Sequence, residues 1–371
     1  MKRTYALIAL AFMLVAGSCG RSSGSSNEAS PTGNTTQKIN GKAAEGLMEH
    51  YMFYVVNMDS DAKRSFYSTR LQQEVGGQEE QQEPHPVGYI LGEGEGSQTG
   101  SNFSAKLLYE VAGEPSFSID TYSYELVNEN GSIKIDKISK ESSMELIGQG
   151  DKVFVKKDEE SEKQKAVSLD DLPDYTVMQT GASPEQKFSV PKDKFTSCGM
   201  ASDGENIIVT SSDNNGSGCF IAKVTIEEKE TMQQGKEGED KKQGGGQQKE
   251  GEEQQPQDKE KSTSTVKPID LISGCQAYGI SFSPKFDKFI VGLSNSDGTR
   301  SFRVYDMESG KIVDTEVPFI GGDTSSSLPY FSSENKIVFT VTASEKATDE
   351  ERSYEGRWSL DLKEGELKQI E

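Results

Sequence analysis

The groups able to do chemistry in this 371-residue chain are four cysteines, two histidines and a few clusters of Ser, Asp and Asn. Cys19 stands apart. It closes the run Val15-Ala16-Gly17-Ser18-Cys19, behind a basic start (Lys2, Arg3) and an apolar stretch from Tyr5 to Val15. Small residues at 16, 17 and 18 let an extended backbone fit a signal peptidase groove. Cys198, Cys219 and Cys275 allow three single pairings, each leaving one thiol over. Cys198 with Cys219 is the leading candidate disulfide, because each opens a strand at what should be the same end of one repeat. Three separate buried thiols are the other outcome, since strands one and three of such a unit are not adjacent. Zinc is not expected: there is no C-x-x-C pair, and His50 and His85 offer no suitable spacing.

The remaining motifs read as turns or chance matches. Gly20-Arg21-Ser22-Ser23-Gly24 fits G-x-S-x-G, but a nucleophile of that kind needs a strand before it and a helix after it. Ser212-Asp213-Asn214 leads into Asn215-Gly216 and reads as a hairpin turn. Asp213–Gly216 and Asn295-Ser296-Asp297-Gly298 lack a Glu at the twelfth loop position, so turn chemistry accounts for them better than calcium does. No catalytic residue, metal site or cofactor is expected. The chain carries 61 acidic and 40 basic residues, a formal charge of -21, which excludes the basic footprint of a nucleic-acid binder. It also disfavours direct contact between the folded body and anionic lipid.

Residues 1–19 resemble the signal peptide and lipobox of bacterial lipoproteins. Ala16 stands where Leu is usual, and Ser18 where Gly or Ala is commoner. The resemblance implies cleavage before Cys19, a diacylglycerol (palmitate-type) anchor on its sulfur, and residence on the extracytoplasmic face of a bacterial membrane. Gly20 is not the Asp of a Gram-negative inner-membrane retention signal. Residues 19–41, rich in Gly, Ser, Asn and Thr, are then a disordered tether reaching roughly 25 Å.

Residues 42–140 read as a smaller α+β domain. Ala44, Leu47, Met48, Tyr51, Met52 and Val55 recur at helical spacing over about 42–57. Asp59 and Ser60 cap a second helix running through Ala62, Phe66, Tyr67 and Leu71. Strands follow at Val87–Leu91 and Lys106–Val111, then a hairpin that turns at Asn130-Gly131. Helices followed by a curved sheet with this final hairpin resemble the cone-shaped domains of the nuclear-transport-factor-like and cystatin-like superfamily. Tyr51, Tyr54, Tyr122 and Tyr124 read as core or rim aromatics, and His50 as a boundary residue.

Residues 141–371 show repetition. Cys198–Thr210, Ile280–Gly292 and Leu328–Thr340 each join a short strand, a polar turn and a Val/Ile/Phe-rich strand. Phe302–Lys311 parallels Trp358–Glu366, and a fainter unit lies around Met144–Leu169. Such periods suggest propeller blades of four short strands. The segment Phe282-Ser283-Pro284-Lys285-Phe286-Asp287, with Tyr305–Lys311, resembles the blades of TolB-type, WD-repeat-like propellers of bacterial envelopes. Residues 229–265 are almost wholly Gly, Gln, Glu, Lys, Asp and Ser, and read as a disordered insertion within one hairpin. The expected fold is mainly β: a small or incomplete propeller-like repeat domain preceded by the cone domain. Together the resemblances imply a lipid-anchored, non-enzymatic envelope protein that binds a protein, peptide or wall polymer, with membrane contact through the anchor alone. The alternative is an enzyme or small-molecule carrier with a pocket in the amino-terminal domain.

Overall fold

The computed structural model describes residues 39–76, 86–92, 95–96, 101–111, 115–181, 183, 186–227, 263–315 and 317–370. Cys19, the signal segment and nearly all of the tether lie outside them. The tether stops short of its expected end, because Ile39 is buried and Asn40 caps a helix. That helix is α1 (Gly41–Val56). The Asn40 Oδ1 accepts the N–H groups of Lys42 at 3.0 Å and Ala43 at 3.4 Å. Two donors that the first turn leaves open are thereby satisfied. Ala44, Met48, Tyr51, Met52 and Val56 form its buried stripe. The second helix expected through Phe66 and Leu71 is in fact two, α2 (Ser60–Arg64) and α3 (Thr69–Val75). Ile135 causes the break. Its N–H donates to Phe66 O at 2.9 Å, and its carbonyl accepts from Ser68 N–H at 2.8 Å. Ser68 Oγ then starts α3 by accepting Leu71 N–H at 3.1 Å.

The three helices accompany a seven-stranded antiparallel sheet. Its members are β1 (Pro86–Leu91), β2 (Glu95–Gly96), β3 (Ser101–Glu110), β4 (Ser116–Glu129), β5 (Ser132–Gln149), β6 (Lys152–Lys156) and β7 (Gln164–Ser168). The order is β1-β3-β4-β5-β6-β7, with β2 pairing β3. The β4–β5 hairpin turns at Asn130-Gly131, both at positive φ, as expected. This hairpin serves two cores. Tyr124, Leu126 and Ile135 belong to the core that contains α1, whereas Phe117, Ile119 and Leu146 belong to the repeat core. The domain boundary expected between 140 and 141 therefore falls inside β5. The faint repeat at Met144–Leu169 is the far half of this sheet, not a separate four-stranded unit. All described residues belong to one compact unit.

A two-stranded ribbon, β8 (Tyr175–Thr176) with β9 (Phe188–Ser189), precedes three repeat sheets. The first comprises β10 (Lys194–Met200), β11 (Asn206–Ser212), β12 (Gly218–Glu227) and β13 (Thr263–Ser273). The second comprises β14 (Cys275–Phe282), β15 (Lys288–Asn295), β16 (Arg300–Asp306) and β17 (Ile312–Val313). The third comprises β18 (Thr324–Ser326), β19 (Tyr330–Ser333), β20 (Lys336–Ala343), β21 (Gly356–Asp361) and β22 (Leu367–Gln369), with a short α4 (Asp349–Arg352) between β20 and β21. The chain is thus mainly β, with a propeller-like repeat region. β14 packs on both β10 and β19, and β1 of the first sheet touches β14 and β19.

Equivalent bonds show the repetition. An N–H at or just past the end of the third strand donates into the turn between the first two. The pairs are Ile226 to Glu205 O at 2.9 Å, Met307 to Asp287 O at 2.8 Å, and Leu362 to Asn335 O at 2.7 Å. The next turn also recurs. Gly310 N–H donates to Asp306 O and Gly365 N–H to Asp361 O, both at 2.9 Å, with each glycine at positive φ. The insertion expected at 229–265 lies outside the described residues, apart from its end. Thr263, Ser264 and Thr265 extend β13 and pair with Glu227, Ile226 and Thr225.

One buried ion pair ties the ribbon to the repeats. Asp270, 0% exposed, accepts from Arg303 Nη1 at 3.0 Å, Tyr305 OH at 2.9 Å, and the N–H groups of Leu271 at 2.8 Å and Gln179 at 3.0 Å. Removing one partner of such a pair strands a charge. Arg303→Met should cost roughly 3 kcal/mol in urea unfolding. A loss well under 1 kcal/mol would show that the three remaining donors hold the carboxylate by themselves.

Candidate functional site

The cavity that stands out sits where the helical layer meets the repeats. It encloses about 330 Å³. Val56 and Asn57 at the end of α1, and Val87 of β1, line it. Tyr278 of β14, Arg300 of β16, and Tyr330, Val338, Phe339 and Thr340 line it as well. The third repeat shapes this space through a local fault. Its inner strand is split into β18 and β19 around Ser327-Leu328-Pro329, and both pieces pair with β20. Pro329 has no N–H to give a ladder, so an unbroken strand is disfavoured there. The gap puts Ser327 and Leu328 on the cavity. Ser327 Oγ accepts Thr340 N–H at 2.9 Å, and Ser327 N–H donates to Thr340 O at 2.8 Å, so these two residues satisfy each other.

Glu110 also lines the cavity. It ends β3 and is 6% exposed. Its Oε2 accepts Ile280 N–H from β14 at 2.8 Å, and its Oε1 takes a short hydrogen bond from Ser197 Oγ on β10. Gly279 permits the approach, because a Cβ there would lie 2.8 Å from Oε2 and 2.7 Å from Leu328 Cδ2. Burial pushes the Glu110 carboxyl up to about 8, although both hydrogen bonds pull the other way. Burial, with Glu110 nearby, also raises the Cys198 thiol well above its usual range.

Arg300 is the cation of the site. It is exposed, and its guanidinium carbon lies 4.7 Å from the centre of the Tyr278 ring. Its backbone N–H is held by Ser325 Oγ at 3.0 Å. Among the described residues its guanidinium has no carboxylate partner. Asn57 spends its amide N–H on Phe53 O at 2.6 Å and Tyr330 OH at 3.4 Å. Its Oδ1 faces no described donor.

The residues singled out from the sequence lie elsewhere. Tyr51 and Tyr124 are buried, with ring centres 5.8 Å apart, and Tyr122 lies 6.4 Å from Tyr124. They pack as aromatics in the helical core, not as a pocket wall. Cys198, Cys219 and Cys275 are free and buried. The Cys198–Cys219 bridge does not form, because β11 lies between β10 and β12 and two strand spacings come to about 9.6 Å. The Asp213 carboxylate is occupied by Ser217, and that of Asp297 by Thr299, within their own turns. Sequence reading passed over Glu110, Arg300 and Leu328. Glu110 alone left a trace, as an acid at the end of the apolar run Leu107-Leu108-Tyr109.

No family model matches this chain, and no curated protein matches it. Among solved structures it is similar to TolB from Acinetobacter baumannii, with 10% identity over 82% of this chain and 60% of that one, at a TM-score of 0.31. A putative 6-phosphogluconolactonase from Bacteroides uniformis aligns at 10% identity over 79% of this chain and 73% of that one, TM-score 0.30. The β-propeller domain of the Trilobed protease from Pyrococcus furiosus aligns at 8% identity over 76% of this chain and 84% of that one, TM-score 0.24. The chain thus spans 60% of the length of the TolB structure it resembles. At these scores the likenesses carry no function across.

The Glu110 carboxyl predicts a pH effect. Unfolded, it loses its proton near 4.5, and folded it keeps the proton to about 8. Within that window the folded state binds more protons, so this group makes stability fall as pH rises. The melting temperature should therefore drop between about pH 5 and about pH 9, and Glu110→Gln should flatten that drop. Equal slopes in the two proteins would rule Glu110 out as the source.

Proposed function

We propose that this chain is a lipid-anchored, non-enzymatic protein of the bacterial envelope that holds a protein, peptide or wall polymer on its propeller-like body. The observation that carries this reading is the junction cavity. It is preformed, walled mainly by apolar side chains, and bears a cation with no described carboxylate partner at its edge. Its other polar side chains are largely engaged in holding strands together, as Ser327 and Glu110 illustrate. Binding needs only such a surface, whereas turnover needs a reacting pair aimed at one point. The Val15–Cys19 run supports an anchor outside the cytoplasm. The helical layer, read as a cone-type domain, then acts as a mount between tether and repeats. The rival reading, an enzyme or carrier with its pocket among Tyr51, Tyr122 and Tyr124, finds those rings packed against one another.

Metabolic labelling with an alkynyl palmitate analogue tests the anchor. Wild type should label and Cys19→Ala should not; equal labelling sinks the lipoprotein reading. A photo-crosslinker at exposed Ser327, beside the cavity, should trap a specific partner in intact cells, while one at exposed Lys363 should not. Turnover of a wall or peptide substrate by the purified protein would overturn the non-enzymatic assignment.

A further inference from the structure

The lining of the junction cavity carries information about the ligand itself. The protein has a formal charge of -21, and several of its described surface cations, Arg70, Lys137 and Lys285 among them, are held in ion pairs. Arg300 lies over the face of Tyr278 and has no carboxylate partner among the described residues. A guanidinium presents paired donors that match a carboxylate. The same cavity is lined by apolar surface from Val87, Leu328 and Val338. Asn57, which also lines the cavity, adds an acceptor, Oδ1. At about 330 Å³ the space lies at the low end of ligand sites, roughly 300–1,000 Å³, and suits a chain end better than a long segment. A cation, an apolar slot and one acceptor for an N–H together describe the end of a polypeptide. A plain fatty acid would use the first two and leave the Asn57 oxygen without a donor.

We infer that the junction cavity captures the C-terminal residue of a peptide. Arg300 pairs with the terminal carboxylate, Asn57 Oδ1 accepts the last amide N–H, and an apolar side chain fills the slot beside Leu328. This rests on the binding reading above and names the chemistry of its ligand. It is one of the recurring modes of peptide recognition.

The test uses full-length protein in detergent and a fluorescein-labelled Gly-Ala-Leu-Leu peptide, followed by fluorescence anisotropy. The free-acid peptide should bind, and its C-terminal amide should bind about tenfold or more weakly, the loss expected for a hydrogen bond to a charged group. Arg300→Gln should weaken the free acid by a similar factor and leave the amide unchanged. Leu328→Trp, which fills the slot, should abolish binding of both. Melting curves for each variant guard against loss of fold. Equal affinity for acid and amide, no effect of Arg300→Gln in a folded protein, or no binding of the free acid at millimolar concentration would each overturn the inference. Tighter, Arg300-dependent binding of octanoate would overturn the peptide assignment in favour of a lipid acid. Should the peptide fail while Ser327 crosslinks persist in cells, the inference falls and the broader binding reading stands.

Discussion

A single carboxyl group away from water joins three sheets of this protein. Glu110 belongs to the helix-covered sheet, yet its two oxygens meet Ser197 on the first repeat and Ile280 on the second. A buried acid is costly unless it is neutral or fully hydrogen-bonded. Here burial keeps the proton on it at neutral pH, and the neighbouring donors fix its direction. That arrangement demands a residue without a side chain at Gly279 and brings Leu328 to the same point. The cavity lining, the contact between layers and the packing of the inner strands therefore share one constraint. If the two layers moved apart, the polar atoms of Glu110, Ser197 and Ile280 would each lose a partner.

The same economy shapes the cavity walls. In the second repeat the inner strand β14 is continuous and its side chains enter the core. Phe282 meets Phe117 of β4 at 5.8 Å between ring centres. In the third repeat the inner strand breaks at Ser327-Leu328-Pro329, so part of its apolar surface faces a space instead of a neighbour. The repeats share turns and ladders, and the irregular one opens the site. The candidate site thus sits where the pattern fails, supported by units in which it holds.

Much of the scaffold was legible before any coordinates. The stripe on α1, the Asn130-Gly131 hairpin and the strand–turn–strand unit over Ile280–Gly292 all follow from short-range rules: periodicity, left-handed turn residues and apolar runs. Misreadings arose where distant partners intervened. Ile135 splits the second helix through backbone bonds 67 and 69 residues away in sequence. The β4–β5 hairpin runs through a boundary that composition placed between two domains, because each half is buried by a different core. The cysteines looked pairable along the chain, yet a strand separates two of them.

From the sequence alone came the acidic balance, the lipobox-like run ending at Cys19 and the repeated strand–turn–strand units. These depend on residue type and spacing within a few dozen positions, and local chemistry suffices to read them. The junction cavity did not follow from any such window. Asn57, Glu110, Tyr278, Arg300 and Leu328 are dispersed over more than half the chain, and each has an ordinary local role in a helix end, strand or loop. Only the packing of β1 against β14 and β19 brings them to one space. What they do there depends on burial and on which partners remain unfilled, and both are set by tertiary contact.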